Sequence, residues 1–198
     1  MIHPAPAGAL AVLGSLVLVG CVTTPTKTAE PQNWEVRRTE LQRQDRFELK
    51  GRLAVAAGKE GFNARLRWQQ QGTSSSLALD GPLGVGGVRI ATSGTDIEVL
   101  NSKGERLDSE AARHEITARL GFEPPLTSLR YWVLGAPDPA SRAEETLDAQ
   151  QRLARLVQDG WDIEYASYAE VNGKWLPSRL TLERDDVRVR VLVDGWQP

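Results

Sequence analysis

From Phe47 to Trp68 apolar and polar residues alternate. Phe47, Leu49, Gly51, Leu53, Val55 and Ala57 are interleaved with Glu48, Lys50, Arg52 and two alanines, and Phe62, Ala64, Leu66 and Trp68 with Asn63, Arg65, Arg67 and Gln69. A period of two sends alternate side chains to opposite faces of a β-strand. Gly58-Lys59-Glu60-Gly61 between the two runs predicts a hairpin. Leu77/Leu79, Val88/Ile90 and Ile97/Val99 continue the alternation in shorter strands. Ile163/Tyr165, Leu180/Leu182 and Val187/Val189/Val191/Val193 repeat it near the C-terminus, the last set against Arg188 and Arg190. Leu153–Gln158 fits helix or strand on pattern alone. The Asp159-Gly160 pair that follows is a two-residue hairpin signal and selects strand. Strands apolar on one face only predict an antiparallel sheet with one dry side.

Elsewhere the period lengthens. Asn33 is a natural N-cap for a short helix over Trp34–Gln44, with Trp34 and Leu41 on one face. A second helix is expected from Asp108-Ser109-Glu110 to Leu120, closed by Gly121 as a C-terminal cap. Pro124-Pro125 opens a third, which carries Leu126, Leu129, Trp132 and Val133 and ends at Gly135. The polar stretch Ala136–Gln150 reads as a long loop. The fold class is therefore mainly β with α+β character: about nine to eleven strands in a curved antiparallel sheet wrapped around two or three helices.

The N-terminal region follows a different logic. Ala9–Gly20 is apolar and rich in small residues, and at about 12 residues it is too short to cross a hydrocarbon core of roughly 30 Å. It fits the apolar region of a secretory signal. Leu18-Val19-Gly20-Cys21 matches a lipobox, and Cys21 is the one cysteine in the chain. Only His3 and the amino terminus precede the apolar run, where a Lys or Arg is usual. The expected organisation is a signal peptide over 1–20, a lipidated Cys21 with a flexible tether over 21–33, and a single domain over 34–198. Two or more acyl chains on Cys21 suffice for stable anchoring. Val22, not Asp, follows the cysteine, which favours the outer membrane over retention at the inner one. With a single cysteine no disulfide can brace the domain, so the core must hold it.

Composition narrows the function. The formal net charge is −2, which leaves no electrostatic footprint for nucleic acid. Enzyme signals are sparse. His114, on the second helix, is the one histidine outside the signal, and there is neither a GxSxG elbow nor a metal-ligand cluster. The glycines at 81, 84, 86 and 87 fail as a phosphate loop, since Arg89 stands where the third glycine belongs and no helix follows. Glu144-Glu145 and Asp185-Asp186 read as solvated loop and turn residues. The turn Gly81-Pro82-Leu83-Gly84-Val85-Gly86-Gly87 is unusual because it carries Leu83 and Val85. Either these side chains tuck back into the core, or they form an exposed apolar finger for a lipid surface or an apolar cargo.

Several segments, taken in order, resemble one family. They are Gly51-Arg52-Leu53-Ala54-Val55, Ala64-Arg65-Leu66-Arg67-Trp68-Gln69-Gln70, Gly81-Pro82-Leu83-Gly84, and Leu129-Arg130-Tyr131-Trp132-Val133-Leu134-Gly135. Gly160-Trp161-Asp162-Ile163-Glu164-Tyr165, Tyr168, Leu176-Pro177 and a terminal Trp196 complete the set. Each is weak alone; their order and spacing behind a lipobox resemble the LolB family of outer-membrane lipoprotein receptors. The resemblance implies an unclosed β-barrel with helices in its open side around a hydrophobic cavity. It implies a monomer, lipid-anchored on the periplasmic face of the outer membrane, that takes triacylated lipoproteins from the periplasmic carrier LolA. Cargo would then pass to outer-membrane phospholipid without ATP. It also implies that Pro82, Leu83, Gly84 and Val85 protrude, with Leu83 pressing on the membrane. LolA shares the fold but is soluble, which Cys21 argues against. No cofactor is expected beyond N-acyl and S-diacylglycerol lipid on Cys21. For the cavity lining, alternation supplies Leu53, Val55, Leu66, Trp68, Leu77 and Leu79, and the third helix Leu129 and Trp132. Two other classes stay open: an assembly lipoprotein that binds protein partners over a filled core, and a lipid-anchored hydrolase.

Overall fold

A computed structural model describes residues 1–3, 33–81 and 87–197. The expectations for Cys21 and for Pro82, Leu83, Gly84 and Val85 fall outside these residues. Helix α1 covers Trp34–Arg43, and Asn33 caps it by accepting from the Glu35 backbone N–H at 2.9 Å. Six strands follow: β1 (Arg46–Ala57), β2 (Glu60–Gln71), β3 (Ser74–Asp80), β4 (Val88–Ser93), β5 (Asp96–Leu100) and β6 (Arg106–Asp108). Helices α2 (Ser109–Leu120) and α3 (Leu126–Trp132) interrupt the sheet. Five more strands complete it: β7 (Ala143–Leu147), β8 (Leu153–Gln158), β9 (Trp161–Val171), β10 (Lys174–Arg184) and β11 (Val187–Gln197).

The eleven strands of the described residues form one sheet in the order β6-β5-β4-β3-β2-β1-β11-β10-β9-β8-β7. Every neighbouring pair is antiparallel, and nearly all are sequential hairpins. The exception is β1 against β11, which joins the N-terminal half of the sheet to the C-terminal half. Among the described residues β6 and β7 are free edges, so the barrel is unclosed. Asp159 and Gly160 both take positive φ, 51° and 77°, the geometry a two-residue hairpin needs to match strand twist. The β1–β2 turn is tighter than the sequence suggests: only Gly58 and Lys59 turn, while Glu60 and Gly61 pair with Ala57 and Ala56.

The stretch 136–150 is not simply a loop, because β7 lies within it. Ala143-Glu144-Glu145-Thr146-Leu147 has no dry face, its residues alternating only between half-buried and exposed, so hydrophobic periodicity could not reveal it. Glu145 is correspondingly not a solvated loop residue. Its carboxylate accepts from Trp34 Nε1 at 2.5 Å and from Arg38 at 3.2 Å, and so fastens α1 to the β7 edge. Arg37 of α1 is also buried, donating to the Trp175 carbonyl with its guanidinium 5.9 Å from the Tyr168 ring centre. The core lies on the inner face of the sheet. One cluster is centred on β1–β5 with α2, the other on β8–β11 with α3, and Leu53, Leu120, Leu129 and Val191 pack against both.

Candidate functional site

Alternation places Leu53 and Val55 of β1, Leu66 and Trp68 of β2, and Leu77 and Leu79 of β3 on the concave face, where they line one cavity with Leu129 of α3. The cavity has a volume of about 90 Å³. Its wall is completed by Ile90 of β4, Trp161 of β9, Leu180 and Leu182 of β10, and Val189 and Val191 of β11. Leu120, Phe122, Pro124, Pro125, Leu126 and Val133 cover it from the α2–α3 side. Every lining residue is apolar. The strand contributions from β10 and β11 are visible as alternation, but not that β11, with β10 beyond it, continues the sheet from β1, which only the sheet order supplies.

Trp132 is a correction. It does not line the cavity; it is fully buried behind it, in the cluster with Leu153, Leu156 and Trp161. Its indole Nε1 donates to Gln158 Oε1 at 2.8 Å, and its carbonyl accepts from Tyr165 Oη at 2.9 Å. Burial pushes the Tyr165 phenol well above its ordinary pKa, so it remains a donor. Ser128 Oγ donates to Asp138 Oδ2 at 2.8 Å, and Arg130 reaches the Gly72 carbonyl at 3.1 Å. Helix α3 is therefore pinned on several sides.

Helix α2 is held differently. Along it Ala112 and Ile116 are buried and Leu120 is half-buried, at the i, i+4, i+8 positions of one narrow stripe, while Glu110, Arg113, His114 and Thr117 are exposed. It leans on β5 and β6, the edge of the sheet. Gly121 ends it with φ +80° and donates its N–H to the Thr117 carbonyl at 2.8 Å. Phe122 then tucks against Trp161, with ring centres 5.7 Å apart. The Trp161 indole N–H is buried without an acceptor among the described residues, while the ring lends its apolar surface to the cavity. The arrangement is an apolar chamber between α3, held by buried hydrogen bonds, and α2, held by its narrow apolar stripe and by Arg113, which reaches the Thr95 carbonyl at 3.5 Å and Glu123 at 3.7 Å; it suits apolar chains.

The sequence model of the family Outer membrane lipoprotein LolB matches residues 45–196. The chain belongs to the LolB family. The Outer-membrane lipoprotein LolB of Pseudomonas aeruginosa is 34% identical over 194 residues, covering 96% of this chain and 95% of that protein. That of Pseudomonas putida is 36% identical over 189 residues, covering 92% and 91%. Among solved structures, a LolA superfamily protein from Nitrosomonas europaea superposes with a TM-score of 0.54 at 10% identity, over 84% of this chain and 93% of that one. A DUF1329 family protein from Desulfovibrio piger gives 0.57 at 9% identity, over 83% and 90%. Those two share the fold. LolB membership makes the chain an outer-membrane lipoprotein of the lipoprotein-localization class.

Proposed function

We propose that this protein accepts acylated lipoproteins from the soluble periplasmic carrier LolA and inserts them into the inner leaflet of the outer membrane. It acts as a monomer held there by N-acyl and S-diacylglycerol chains on Cys21, on the periplasmic face. The wholly apolar chamber, covered by a helix seated on a narrow apolar stripe, carries this reading. Exposing acyl chains to water costs about 0.8 kcal/mol per CH₂, so cargo must move between apolar environments. At about 90 Å³ the chamber lies below the roughly 300–1,000 Å³ of occupied ligand pockets, so acceptance requires it to widen. The link Gly121–Pro125 between α2 and α3 is the part assigned to move, because α3 is pinned through Trp132 and Gln158. The direction of transfer follows graded affinity from carrier to receptor to bilayer. The apolar stretch Pro82-Leu83-Gly84-Val85 is assigned to the membrane, with Leu83 as its leading side chain.

The test uses the chain from Val22 onward, which keeps every helix and strand among the described residues and both core clusters, and the same chain with Leu83→Glu. Each is mixed with LolA carrying a triacylated lipoprotein, and liposomes are then added. Wild type is expected to take cargo and deliver it, and the variant to take cargo and retain it. If neither takes cargo, the receptor reading fails and the assembly lipoprotein becomes the better account.

A further inference from the structure

The outer face of the sheet carries a charge pattern that its fold does not require. Arg179 of β10, Leu192 of β11, Arg52 of β1, Arg65 of β2 and Asp80 of β3 lie in one cross-strand row. The next row holds Thr181, Arg190, Ala54 and Asn63. Adjacent strands are about 4.8 Å apart, so four guanidiniums converge within two rows. Their side chains rim a recess of about 640 Å³, deepened by the small Ala54 at its floor.

Elsewhere on the outer face arginines sit opposite carboxylates. Arg155 pairs with Asp162 at 2.6 Å, and Arg188 with Glu183 at 2.5 Å. Here Arg52 lies directly opposite Arg65, a like-charge cross-strand pair, which is destabilising without a counter-ion. Asp194 partners Arg52 at 2.8 Å, and Asp80 partners Arg67 at 2.7 Å. Arg65, Arg179 and Arg190 are exposed and have no ion pair among the described residues. This surplus stands out on a chain whose formal net charge is −2.

We propose that this recess is a second binding surface, which takes the phosphodiester headgroups of anionic phospholipids. The inference rests on the membrane-tethered reading above. Guanidinium forks match phosphate oxygens bidentately, and Thr181 and Asn63 add neutral donors beside them. Gly81 rims the recess, and the sequence that follows it is apolar. An apolar segment flanked by cations is the composition of a bilayer-surface contact, with the apolar part among acyl chains and the cations at phosphate level. An acidic protein partner would explain the charge but not its place beside Gly81, after which the apolar sequence begins. Bound to headgroups, the recess would fix the angle at which the tethered domain meets the bilayer.

The test is co-sedimentation of the chain from Val22 with vesicles of phosphatidylcholine alone, or mixed equally with phosphatidylglycerol. Wild type is compared with the triple variant Arg65→Gln, Arg179→Gln, Arg190→Gln. A charge-matched control carries Arg43→Gln, Lys103→Gln and Lys174→Gln, away from this face. Each cation at a membrane surface changes affinity roughly fivefold, so three change it on the order of a hundredfold. The expected result is tighter binding to mixed vesicles that the triple variant loses, the control keeps and high ionic strength abolishes. Acceptance of cargo from LolA, without vesicles, is expected to be unchanged in the triple variant. Equal vesicle binding by triple variant and control overturns the proposal, and so does loss of cargo acceptance alone, which would make the face an acidic-protein site. A wild type that binds mixed vesicles yet takes no cargo leaves this proposal standing while the receptor reading falls.

Discussion

The indole of Trp132 and the carboxamide of Gln158 meet at 2.8 Å in the dry interior, linking α3 to the end of β8. Gln158 Oε1 also accepts the Asp138 backbone N–H at 2.9 Å, while its Nε2 donates to the Asp138 carbonyl at 2.7 Å and to Ser141 Oγ at 2.9 Å. One side chain thus satisfies the chain where it leaves α3 for β7. Substituting Gln158→Leu keeps the volume and strands those partners. An unpaired buried polar group costs about 1–3 kcal/mol, so the variant is expected to lose roughly 3–5 kcal/mol. Urea unfolding followed by tryptophan fluorescence measures it, with the midpoint falling and the slope unchanged. A loss under about 1 kcal/mol would mean that α3 is not anchored through this residue.

The same pair marks the limit of what the sequence reveals. On strands, alternation assigns faces without ambiguity, and so Leu53, Val55, Leu66, Trp68, Leu77 and Leu79 point one way. Helix α3 has only 7 residues and is buried on two sides, with Leu129 and Val133 toward the chamber and Tyr131 and Trp132 toward β8 and β9. Apolarity cannot distinguish those sides. The contributions of Val189 and Val191 depend on β11 lying beside β1, a pairing between opposite ends of the chain. Burial of Arg37, a charged residue on a short helix, leaves no trace in hydrophobic pattern; it depends on the Trp175 carbonyl being brought to it.

The turn from β7 to β8 should make stability sensitive to acid. The Asp148 carboxylate accepts the backbone N–H groups of Gln150 and Arg152 at 2.9 Å each, and Arg152 Nε at 2.8 Å. Burial alone would raise its pKa. The bonds from the Arg152 side chain and from the two backbone N–H groups outweigh burial, so the carboxyl titrates below the usual aspartate value. A depressed folded pKa contributes stability that is complete above the unfolded value of about 3.9 and disappears as pH falls through the lower folded value. Asp148→Asn is expected to cost roughly 1 kcal/mol at neutral pH, with the gap to wild type closing only below about pH 4. Urea midpoints across that range provide the measurement; a gap independent of pH would assign the effect to packing.

Mobility of the chamber cover can be tested at Gly121. Its φ of +80° disfavours any side chain, and a Cβ there would lie 2.9 Å from the Ala57 Cβ. Gly121→Ala is expected to cost about 1–2 kcal/mol from backbone strain and to push the α2–α3 link away from β1. The rate at which an environment-sensitive fatty-acid probe enters the chamber should rise. Adding Ala57→Gly removes the contact but not the strain, so it should return the entry rate toward wild type while recovering only part of the stability. Unchanged probe entry in the single variant would contradict the assignment of this link as the moving part.

The seam between the two halves of the sheet depends on Gly51. A Cβ at this position would lie 2.4 Å from the Leu192 carbonyl oxygen and 3.2 Å from the Val193 Cα, and both are backbone atoms that cannot rotate away. The register of β1 against β11 shifts between Lys50 and Gly51, so this close approach falls at a bulge. Gly51→Ala must spread the β1–β11 pair, and overpacking of this kind costs about 1–3 kcal/mol, occasionally more. Because β1–β11 is the contact through which the N-terminal and C-terminal strands form one sheet, the loss should appear as a lower midpoint of a single cooperative transition. Hydrogen exchange should quicken first at the amides of Leu53, Val55, Val189 and Val191, which border the seam, with the β8–β9 hairpin following only on global unfolding. A variant as stable as wild type, with protection at those amides intact, would show that the bulge can absorb a methyl group and that the seam is looser than its geometry indicates.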